Sequence, residues 1–372
     1  MDKVRLGITG IGSMGGEYAK NVLAGAVKGM ELTVACDMSD QRRKWAETEL
    51  PGVRVFDKTD DMIGSGLIDA ILIVVPHFEH KDIVLKSFDA GLHVLCEKPA
   101  GVYTKQVKAM NKAADESGLV YGLMLQHRTN PLFQSMREIV QGGTLGELRR
   151  ANIITTDYYR PQSYYDAGGW RGTWAGEGGG MLLNQCIHTL DIWQWICGMP
   201  KSVTAFCREG QWHDIQTEDD VSAYVKYENG ATALFTASTG DAPGTSRLEL
   251  TGTLGKLVYE NEKLTHYRLD QDTRHFNVHA PHPFASPGCV VEELTPEAEF
   301  PKQNGVMQAF ANAILHGGPL VADGREGINS LELSNAMTLS SWLGKSIEVP
   351  MDDEHDEMYR VYLSMKAGRE LE

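Results

Sequence analysis

Short apolar runs alternate with helical stretches along the first third of the chain. The runs at 70–75 and 120–125 are apolar on both faces, which is typical of central strands covered by helices on each side. Strands that alternate with helices form βαβ crossovers and therefore a parallel sheet. The pattern predicts an α/β protein whose residues 1–125 form a doubly wound, six-stranded Rossmann domain. Its expected strands are 4–9, 31–36, 53–56, 68–75, 92–96 and 119–125, with helices from about 13 and at 41–50, 80–90 and 104–116.

The pattern changes after Pro131, where one helix is followed by runs in which apolar and polar positions alternate. This alternation is typical of antiparallel strands with one buried face. We therefore expect residues 126–372 to form a second, α+β domain with a large open, mostly antiparallel sheet. Expected strands include 151–157, 221–227, 231–238 and 247–251, expected helices lie at 303–315, 327–343 and near the end, and 270–286 is expected to be a long loop.

The composition is that of a globular protein. Apolar residues make up 42% and charged residues 23% of the 372, which argues against a disordered or fibrous chain. The 35 basic and 50 acidic residues leave a net charge of −15 without a local basic patch, so nucleic acid and anionic membranes are not expected partners. Six cysteines without a CxxC pair predict reduced thiols. With no secretory leader or membrane-spanning run, we expect a cytoplasmic protein.

A glycine pattern, Gly-Ile-Gly-Ser-Met-Gly at 10–15, follows the first strand directly and opens a helix. In this context Gly10 permits a tight turn, Gly12 a close approach to a pyrophosphate, and Gly15 close packing of helix on strand. The helix N-terminus would then face the phosphates. Asp37, at the end of the second strand, would accept hydrogen bonds from the ribose hydroxyls and repel a 2′-phosphate, which favours NAD over NADP.

The tripeptide Glu97-Lys98-Pro99 follows the fifth strand and therefore lies at the carboxyl edge of the sheet, where ligands of open α/β sheets bind. A lysine or a histidine can take the proton of a hydroxyl while hydride leaves the carbon. Alone, the tripeptide would equally suit a surface turn. The residues expected to contact the cofactor are Gly10, Gly12, Ser13, Met14, Gly15, Asp37, Pro76, His80, Glu97, Lys98 and Gln126.

A segment rich in aromatic residues and glycine, 158–195, carries the densest group of candidate binding residues. Asn184 and His188 are four apart and, in a helix, would share one face and grip adjacent hydroxyls. Aromatic faces stack on the C–H surfaces of sugars, although a buried histidine and core aromatics would give the same pattern. The residues expected to contact substrate are Lys98, Arg128, Tyr158, Arg160, Trp170, Arg171, Trp174, Asn184 and His188.

Together these motifs resemble the Gfo/Idh/MocA family of NAD(P)-dependent sugar oxidoreductases over nearly the whole chain. The resemblance includes the glycine pattern, Glu97-Lys98-Pro99, the segment Gln-His-Arg-Thr-Asn-Pro at 126–131, and glycines 178–180 before the predicted helix with His188. It implies that Lys98 and His188 line the substrate hydroxyl beside the nicotinamide as the catalytic pair. Many members have an aspartate four residues before the histidine, where this chain has Asn184. An amide is not a base, so the proton acceptor is His188 or Lys98.

The resemblance implies hydride transfer between NAD and a secondary hydroxyl of a pyranose sugar or glycoside. Asn184-Gln185 and the run Trp-Arg-Gly-Thr-Trp at 170–174 are similar to a branch that often acts at C3. Two alternatives stay open: an enzyme that retains NAD and uses transient oxidation for glycoside cleavage or epimerisation, and a sensor that binds NAD without turnover. Retention of both Lys98 and His188 argues against the sensor.

Two further expectations concern metals and assembly. No metal site is expected, because the histidines at 77 and 80 and those at 275, 279 and 282 lack a thiolate or carboxylate set with recognisable spacing. The second domain is expected to bind substrate and to oligomerise, because its sheet has no helix to cover one face. We therefore predict a homodimer or a homotetramer.

Overall fold

The computed structural model describes residues 2–296 and 298–371. Its chain divides into two compact units, which are Met1–Thr129 with Pro301–Leu331 and Asn130–Phe300 with Glu332–Glu372. The fold class predicted from the sequence is confirmed: the first unit contains a parallel sheet and the second a mostly antiparallel one.

Strands and helices alternate along the first stretch of the chain. Its elements are β1 Val4–Thr9, α1 Ser13–Leu23, β2 Met30–Cys36, α2 Asp40–Glu49, β3 Arg54–Phe56, α3 Thr59–Ile63, β4 Ala70–Ile73, α4 His80–Asp89, β5 His93–Cys96, α5 Thr104–Ser117 and β6 Tyr121–Leu123. The six strands are parallel in the order β3-β2-β1-β4-β5-β6. The order reverses between β1 and β4, and ligands of open α/β sheets bind at the carboxyl ends of the strands at such a point.

The second stretch builds a nine-stranded sheet. Its elements are α6 Pro131–Gln141, β7 Leu148–Thr155, α7 Gln162–Asp166, α8 Ile187–Cys197, β8 Ser202–Glu209, β9 Glu218–Lys226, β10 Thr232–Ser238, β11 Ser246–Gly252, β12 Gly255–Glu260, β13 Lys263–Leu269, α9 Thr273–His279 and β14 Cys289–Leu294. Then follow α10 Lys302–His316, α11 Gly327–Leu343, β15 Ile347–Glu348 and α12 Asp353–Ala367. The order is β14-β13-β12-β11-β7-β10-β9-β8-β15, and among the described strands of this second sheet only the pair β7–β10 is parallel.

Helix α10 belongs to the first unit, although its sequence position placed it in the predicted second domain. Val306, Met307, Phe310 and Ala311 form one apolar stripe and are buried in the same core as β1 and α1. The apolar stripe of a helix identifies a buried face but not its partner, so the sequence pattern did not indicate this return of the chain.

Two local predictions need correction. The expected loop at 270–286 contains α9, which begins after Asp272 because that carboxylate accepts the Arg274 N–H at 2.7 Å. The helix expected directly after the glycines begins only at Ile187, and residues 181–186 form turns. Within those turns the Cys186 N–H donates to the Met181 carbonyl at 2.7 Å, five residues back. Asn184 therefore precedes the helix that carries His188.

One face of the second sheet leaves large apolar side chains exposed. On neighbouring strands β8, β9 and β10, Phe206 is 68%, Tyr224 43% and Leu234 51% exposed, and Tyr224 lies directly opposite Leu234. The alternate residues face inward, where Phe235 stacks on Trp193 of α8 with ring centroids 6.1 Å apart. None of the described helices is long and apolar enough to cross a membrane.

Candidate active site

The glycine turn between β1 and α1 fits the predicted roles. Gly10 has a φ of 82°, and a Cβ there would collide with the Val74 carbonyl, while a Cβ on Gly15 would collide with the Gly10 carbonyl. A Cβ on Gly12 would meet no atom within 4 Å, so this position opens on space. Gly12 precedes α1 without a side-chain cap, which leaves the first N–H groups of α1 available to an anion.

Asp37 lies beside this turn. Its Oδ2 accepts the Ile11 N–H at 3.0 Å, and its Oδ1 accepts the Ser39 N–H at 2.8 Å. These bonds orient the carboxylate at the end of β2, and each oxygen retains lone pairs for a ribose hydroxyl. The residues present therefore fit a dinucleotide whose ribose carries free hydroxyls.

Two arginines at the start of α2 are engaged with the backbone. Arg42 donates to the Ile11 carbonyl at 2.7 Å and lies 4.1 Å from the centre of the Trp45 ring. Arg43 donates to the carbonyls of Asp37 and Met38 at 3.0 and 2.7 Å. A 2′-phosphate would have to compete with these contacts, which agrees with a preference for NAD.

Lys98 is held at the carboxyl end of β5 by a buried glutamate. Glu97 is 8% exposed; its Oε1 accepts the Tyr18 hydroxyl at 2.6 Å, and its Oε2 accepts the Lys98 N–H at 3.1 Å. Burial raises the pKa of Glu97, while the Lys98 charge and the Tyr18 hydrogen bond oppose this shift. Tyr18 belongs to α1, so the glycine helix and the lysine segment are joined through one carboxylate.

The charge of Lys98 influences two histidines of the first unit. His80 is fully buried, with Nδ1 2.9 Å from the Pro99 carbonyl oxygen and Nε2 3.0 Å from that of Val75. Burial lowers the pKa of His80, and the Lys98 charge adds to this effect. Burial likewise lowers the pKa of His127 to about 4, again with a contribution from Lys98. Burial therefore disfavours the charged form of both imidazoles.

The remaining predicted cofactor residues of the first unit are at least partly accessible to solvent. Ser13 and Pro76 are exposed, Met14 is 41% exposed, and Gln126 is half-buried. Both ring nitrogens of His80 face backbone carbonyls, so a hydrogen bond from this ring to a dinucleotide would break one of those contacts. The structure thus places His80 as a support for the segment Lys98-Pro99.

Two predicted substrate residues are buried in structural contacts. Arg128 is 1% exposed and pairs with Glu326 at 2.5 Å, both within the first unit. Trp174 is 3% exposed, and its indole N–H donates to the Gln216 carbonyl at 2.8 Å. In this structure both side chains are engaged in contacts inside the protein, and their contact with substrate stays a prediction.

In the second unit, two buried carboxylates hold the glycine-rich turn before α8. Glu218 is 2% exposed and accepts the Gly180 and Leu182 N–H groups at 2.9 and 3.0 Å. Burial raises the pKa of Glu218 to about 8, despite these hydrogen bonds. Glu177, also 2% exposed, accepts the Asn184 amide Nδ2 at 2.5 Å. His188, 7% exposed, is the second residue of α8.

In the aromatic segment before this turn, two arginines lie close to a tyrosine ring. The guanidinium carbons of Arg160 and Arg171 lie 5.2 and 4.8 Å from the centre of the Tyr164 ring. Trp170 and Tyr158 are partly exposed beside them, and burial raises the pKa of Tyr158. Cationic groups next to aromatic faces are suited to a polar, oxygen-rich ligand.

A histidine that the sequence analysis did not single out fixes this segment. The carboxylate of Asp219, fully buried, accepts three N–H groups, from Gln211, Trp212 and His213, at 2.8 to 3.0 Å. The His213 ring lies 2.8 Å from Asp219 through Nδ1 and 2.8 Å from the Arg160 carbonyl through Nε2. Tyr18, Glu177 and Glu218 were also missed, because isolated acids and tyrosines carry no motif. Within the described residues, no three His, Cys, Asp or Glu side chains are grouped as a metal site.

Comparison with known proteins gives related dehydrogenases and reductases. A 1,5-anhydro-D-fructose reductase of Ensifer adhaerens is 25% identical over 260 residues, covering 69% of this chain and 76% of that protein. A scyllo-inositol 2-dehydrogenase (NAD(+)) of Bacillus subtilis is 24% identical over 265 residues, covering 68% and 73%.

Solved structures share the fold over almost the full chain. The WlbA dehydrogenase from Bordetella pertussis, in complex with NADH and UDP-GlcNAcA, has a TM-score of 0.81 and 25% identity, covering 95% of this chain and 99% of that one. A levoglucosan dehydrogenase in complex with NADH and levoglucosan has a TM-score of 0.77 at 18% identity, with 94% and 100% covered, and shows the fold alone.

Family models match a long stretch of each unit. The model of the oxidoreductase family with an NAD-binding Rossmann fold matches residues 4–125, which include the glycine turn, Asp37 and Lys98. The model of the GFO/IDH/MocA C-terminal domain matches residues 133–258, which include Glu177, Asn184 and His188. The family models therefore show that this chain belongs to the GFO/IDH/MocA family of oxidoreductases, with an NAD-binding Rossmann domain and NAD as its cofactor.

Proposed function

We propose that this oxidoreductase transfers a hydride between NAD and a secondary hydroxyl, at C3, of a pyranose sugar or glycoside. The observation that carries the proposal is the position of Lys98, which follows β5 at the carboxyl edge of the Rossmann sheet and whose backbone N–H is bound by the buried Glu97. Relatives named as sugar and inositol oxidoreductases support the substrate class. The whole cycle then needs only a proton acceptor and a stabiliser of alkoxide charge.

The chain's residues fit the cofactor. The N–H groups at the start of α1 and the open side of Gly12 would hold the pyrophosphate, and Asp37 would accept the ribose hydroxyls. When bound, the nicotinamide supplies the hydride acceptor. The other predicted contacts, Ser13, Met14, Pro76 and Gln126, are part of this proposal.

In the proposed mechanism His188 accepts the proton of the substrate hydroxyl, and Lys98 binds the same oxygen and stabilises the alkoxide charge. An ammonium suits the second role, because it donates three hydrogen bonds and keeps its charge. Tyr158, Arg160, Trp170, Arg171 and Asn184 are proposed to bind the remaining substrate hydroxyls.

We also propose that the chain forms a homodimer or homotetramer through the open face of the second sheet. Phe206, Tyr224 and Leu234 expose apolar surface there, which monomers rarely leave uncovered. All six cysteines are free thiols, which is consistent with the proposed cytoplasmic location.

The first experiment incubates the purified protein with NAD and a panel of free sugars, polyols and alkyl or aryl glucosides. NADH absorbance is followed while mass spectrometry identifies the products. NADH formed in step with a keto-sugar supports the proposal, and the position of the carbonyl tests C3. Product without NADH would replace it with a retained-cofactor cycle. Tight NAD binding without any product would favour a sensor.

A further inference from the structure

We propose that Glu177 is a positioning residue that fixes which atom of Asn184 faces the substrate. This inference rests on the proposed function, in which Asn184 contacts a substrate hydroxyl. Nothing in the sequence pattern marks Glu177, which precedes the glycines 178–180. Its role follows from the two donors that its carboxylate binds.

Each of the two oxygens of Glu177 accepts a hydrogen bond from an N–H group. Oε2 accepts the backbone N–H of Gly172 at 2.7 Å, and Oε1 accepts Nδ2 of Asn184 at 2.5 Å. The side chain is buried at 2% exposure. An ionised carboxylate only accepts hydrogen bonds, so the NH2 group of Asn184 must face Glu177. The opposite atom, Oδ1, is the one that Asn184 presents as an acceptor to a substrate hydroxyl.

The residue types at 177 and 184 are therefore coupled. An aspartate at 184, as in many members of the family, would place a second carboxylate within hydrogen-bonding distance of Glu177. Two carboxylates this close share one proton, because both cannot remain ionised. In this chain the carboxylate is instead that of Glu177, and it accepts a hydrogen bond from the amide of Asn184.

The effect of replacing the Glu177 carboxylate by an amide follows from the fixed position of the Gly172 backbone N–H. In Glu177→Gln, the side-chain carbonyl of the glutamine must accept the hydrogen bond from the Gly172 N–H, because this backbone donor cannot rotate away. The new NH2 group then faces Asn184, whose amide must turn to offer Oδ1. Asn184 would present a donor where the substrate needs an acceptor. We expect kcat/KM to fall about 10- to 100-fold, the effect of one mismatched hydrogen bond in a site.

The test is a double-mutant cycle of Glu177→Gln, Asn184→Asp and the combined variant, with the exposed Glu228→Gln as matched control. Asn184→Asp alone should lose activity as the pH rises, because its paired carboxylates then ionise. The combined variant again pairs an amide with a carboxylate, and it should recover kcat/KM to within about threefold of the wild type. NAD affinity should be the same in all variants.

Thermal unfolding of the same variants gives a second measurement that needs no substrate. Each single variant should lower Tm, and the combination should restore it. Additive losses in Tm would refute the pairing, even if no substrate had been found. Coupled Tm values with a wild-type kcat/KM in Glu177→Gln would show a purely structural pair and overturn the positioning role. Failure of the wild type on every substrate would count against the proposed function instead.

Discussion

Buried acids orient the candidate catalytic groups in both units. Glu97 binds the Lys98 N–H and the Tyr18 hydroxyl, while Glu177 binds the Asn184 amide. Each carboxylate is out of solvent, where a hydrogen bond is costly to leave unmade. Single residues at these positions are therefore expected to change the direction of a catalytic group as well as the stability of the loop that bears it.

Replacement of Lys98 tests the central residue of the proposed mechanism. Lys98→Met should lower kcat by about 10³-fold, because the proposed stabiliser of the alkoxide charge is removed. NADH affinity, measured by fluorescence titration, should change little. Lys105→Met, an exposed lysine in α5 of the same unit, is the control. A fully active Lys98→Met enzyme would rule out the assigned role.

Replacement of Asp37 tests the preference for NAD. Asp37→Ser should weaken NAD binding about 10-fold more than NADP binding, because the carboxylate both accepts from the ribose and repels a 2′-phosphate. The ratio of the two affinities is informative because both cofactors share the glycine turn that Asp37 also supports. Asp40→Ser, an exposed acid of α2, should leave the ratio unchanged. An unchanged ratio in Asp37→Ser would contradict the ribose contact.

Loops between secondary-structure elements, more than the elements themselves, form the candidate site. The turn β1–α1 needs Gly10 and Gly15 because a Cβ at either position would collide with a carbonyl. The turn before α8 depends on Gly180, whose N–H binds the buried Glu218. The start of α8, and with it the position of His188, is thus set by a strand residue 30 positions later in the chain.

The raised pKa of Glu218 predicts a pH-dependent stability of this turn. Burial raises the pKa from 4.5 to about 8, so the folded state holds the proton more tightly than the unfolded state. The contribution of Glu218 to the stability of the folded state is complete below pH 4.5 and is lost as the pH rises through about 8. Between pH 5 and pH 8.5, Tm should fall by about 3 °C more in the wild type than in Glu218→Gln. Glu228→Gln should follow the wild type, and parallel pH profiles for Glu218→Gln would contradict the assignment.

The molecule as a whole consists of two units, and each unit is formed by two separate stretches of the chain. The first unit is completed by residues 301–331, which return after the antiparallel sheet has been made. The second unit leaves one face of its sheet exposed, with apolar side chains on three adjacent strands. This face predicts self-association.

Light scattering at micromolar concentration should give a dimer or a tetramer. Leu234→Glu, on the exposed apolar face, should weaken the association at least about 10-fold, because it buries a charge in the interface. Val361→Glu changes an exposed apolar residue of α12 and should leave the oligomer intact. A monomeric wild-type protein would refute the proposal.

Local sequence patterns were sufficient to predict the fold of the Rossmann half of the protein. Strand β1, the glycine turn, α1 and Asp37 are close in sequence, and their spacing reflects steric rules that act over a few residues. The fold class was predictable for the same reason, since apolar periodicity reports which faces are buried. The catalytic roles of Lys98 and His188 came from a resemblance and are still predictions.

Only the tertiary structure decided the contacts between residues distant in the chain. Burial of Arg128 against Glu326, the return of α10 to the first core, and the pairing of Glu218 with Gly180 all depend on packing between segments that share no local pattern. The same holds for Glu177, because a glutamate at the surface and one in a buried turn look alike in the sequence. Hydrogen-bond partners are chosen by the folded geometry, whereas periodicity is carried by the chain itself.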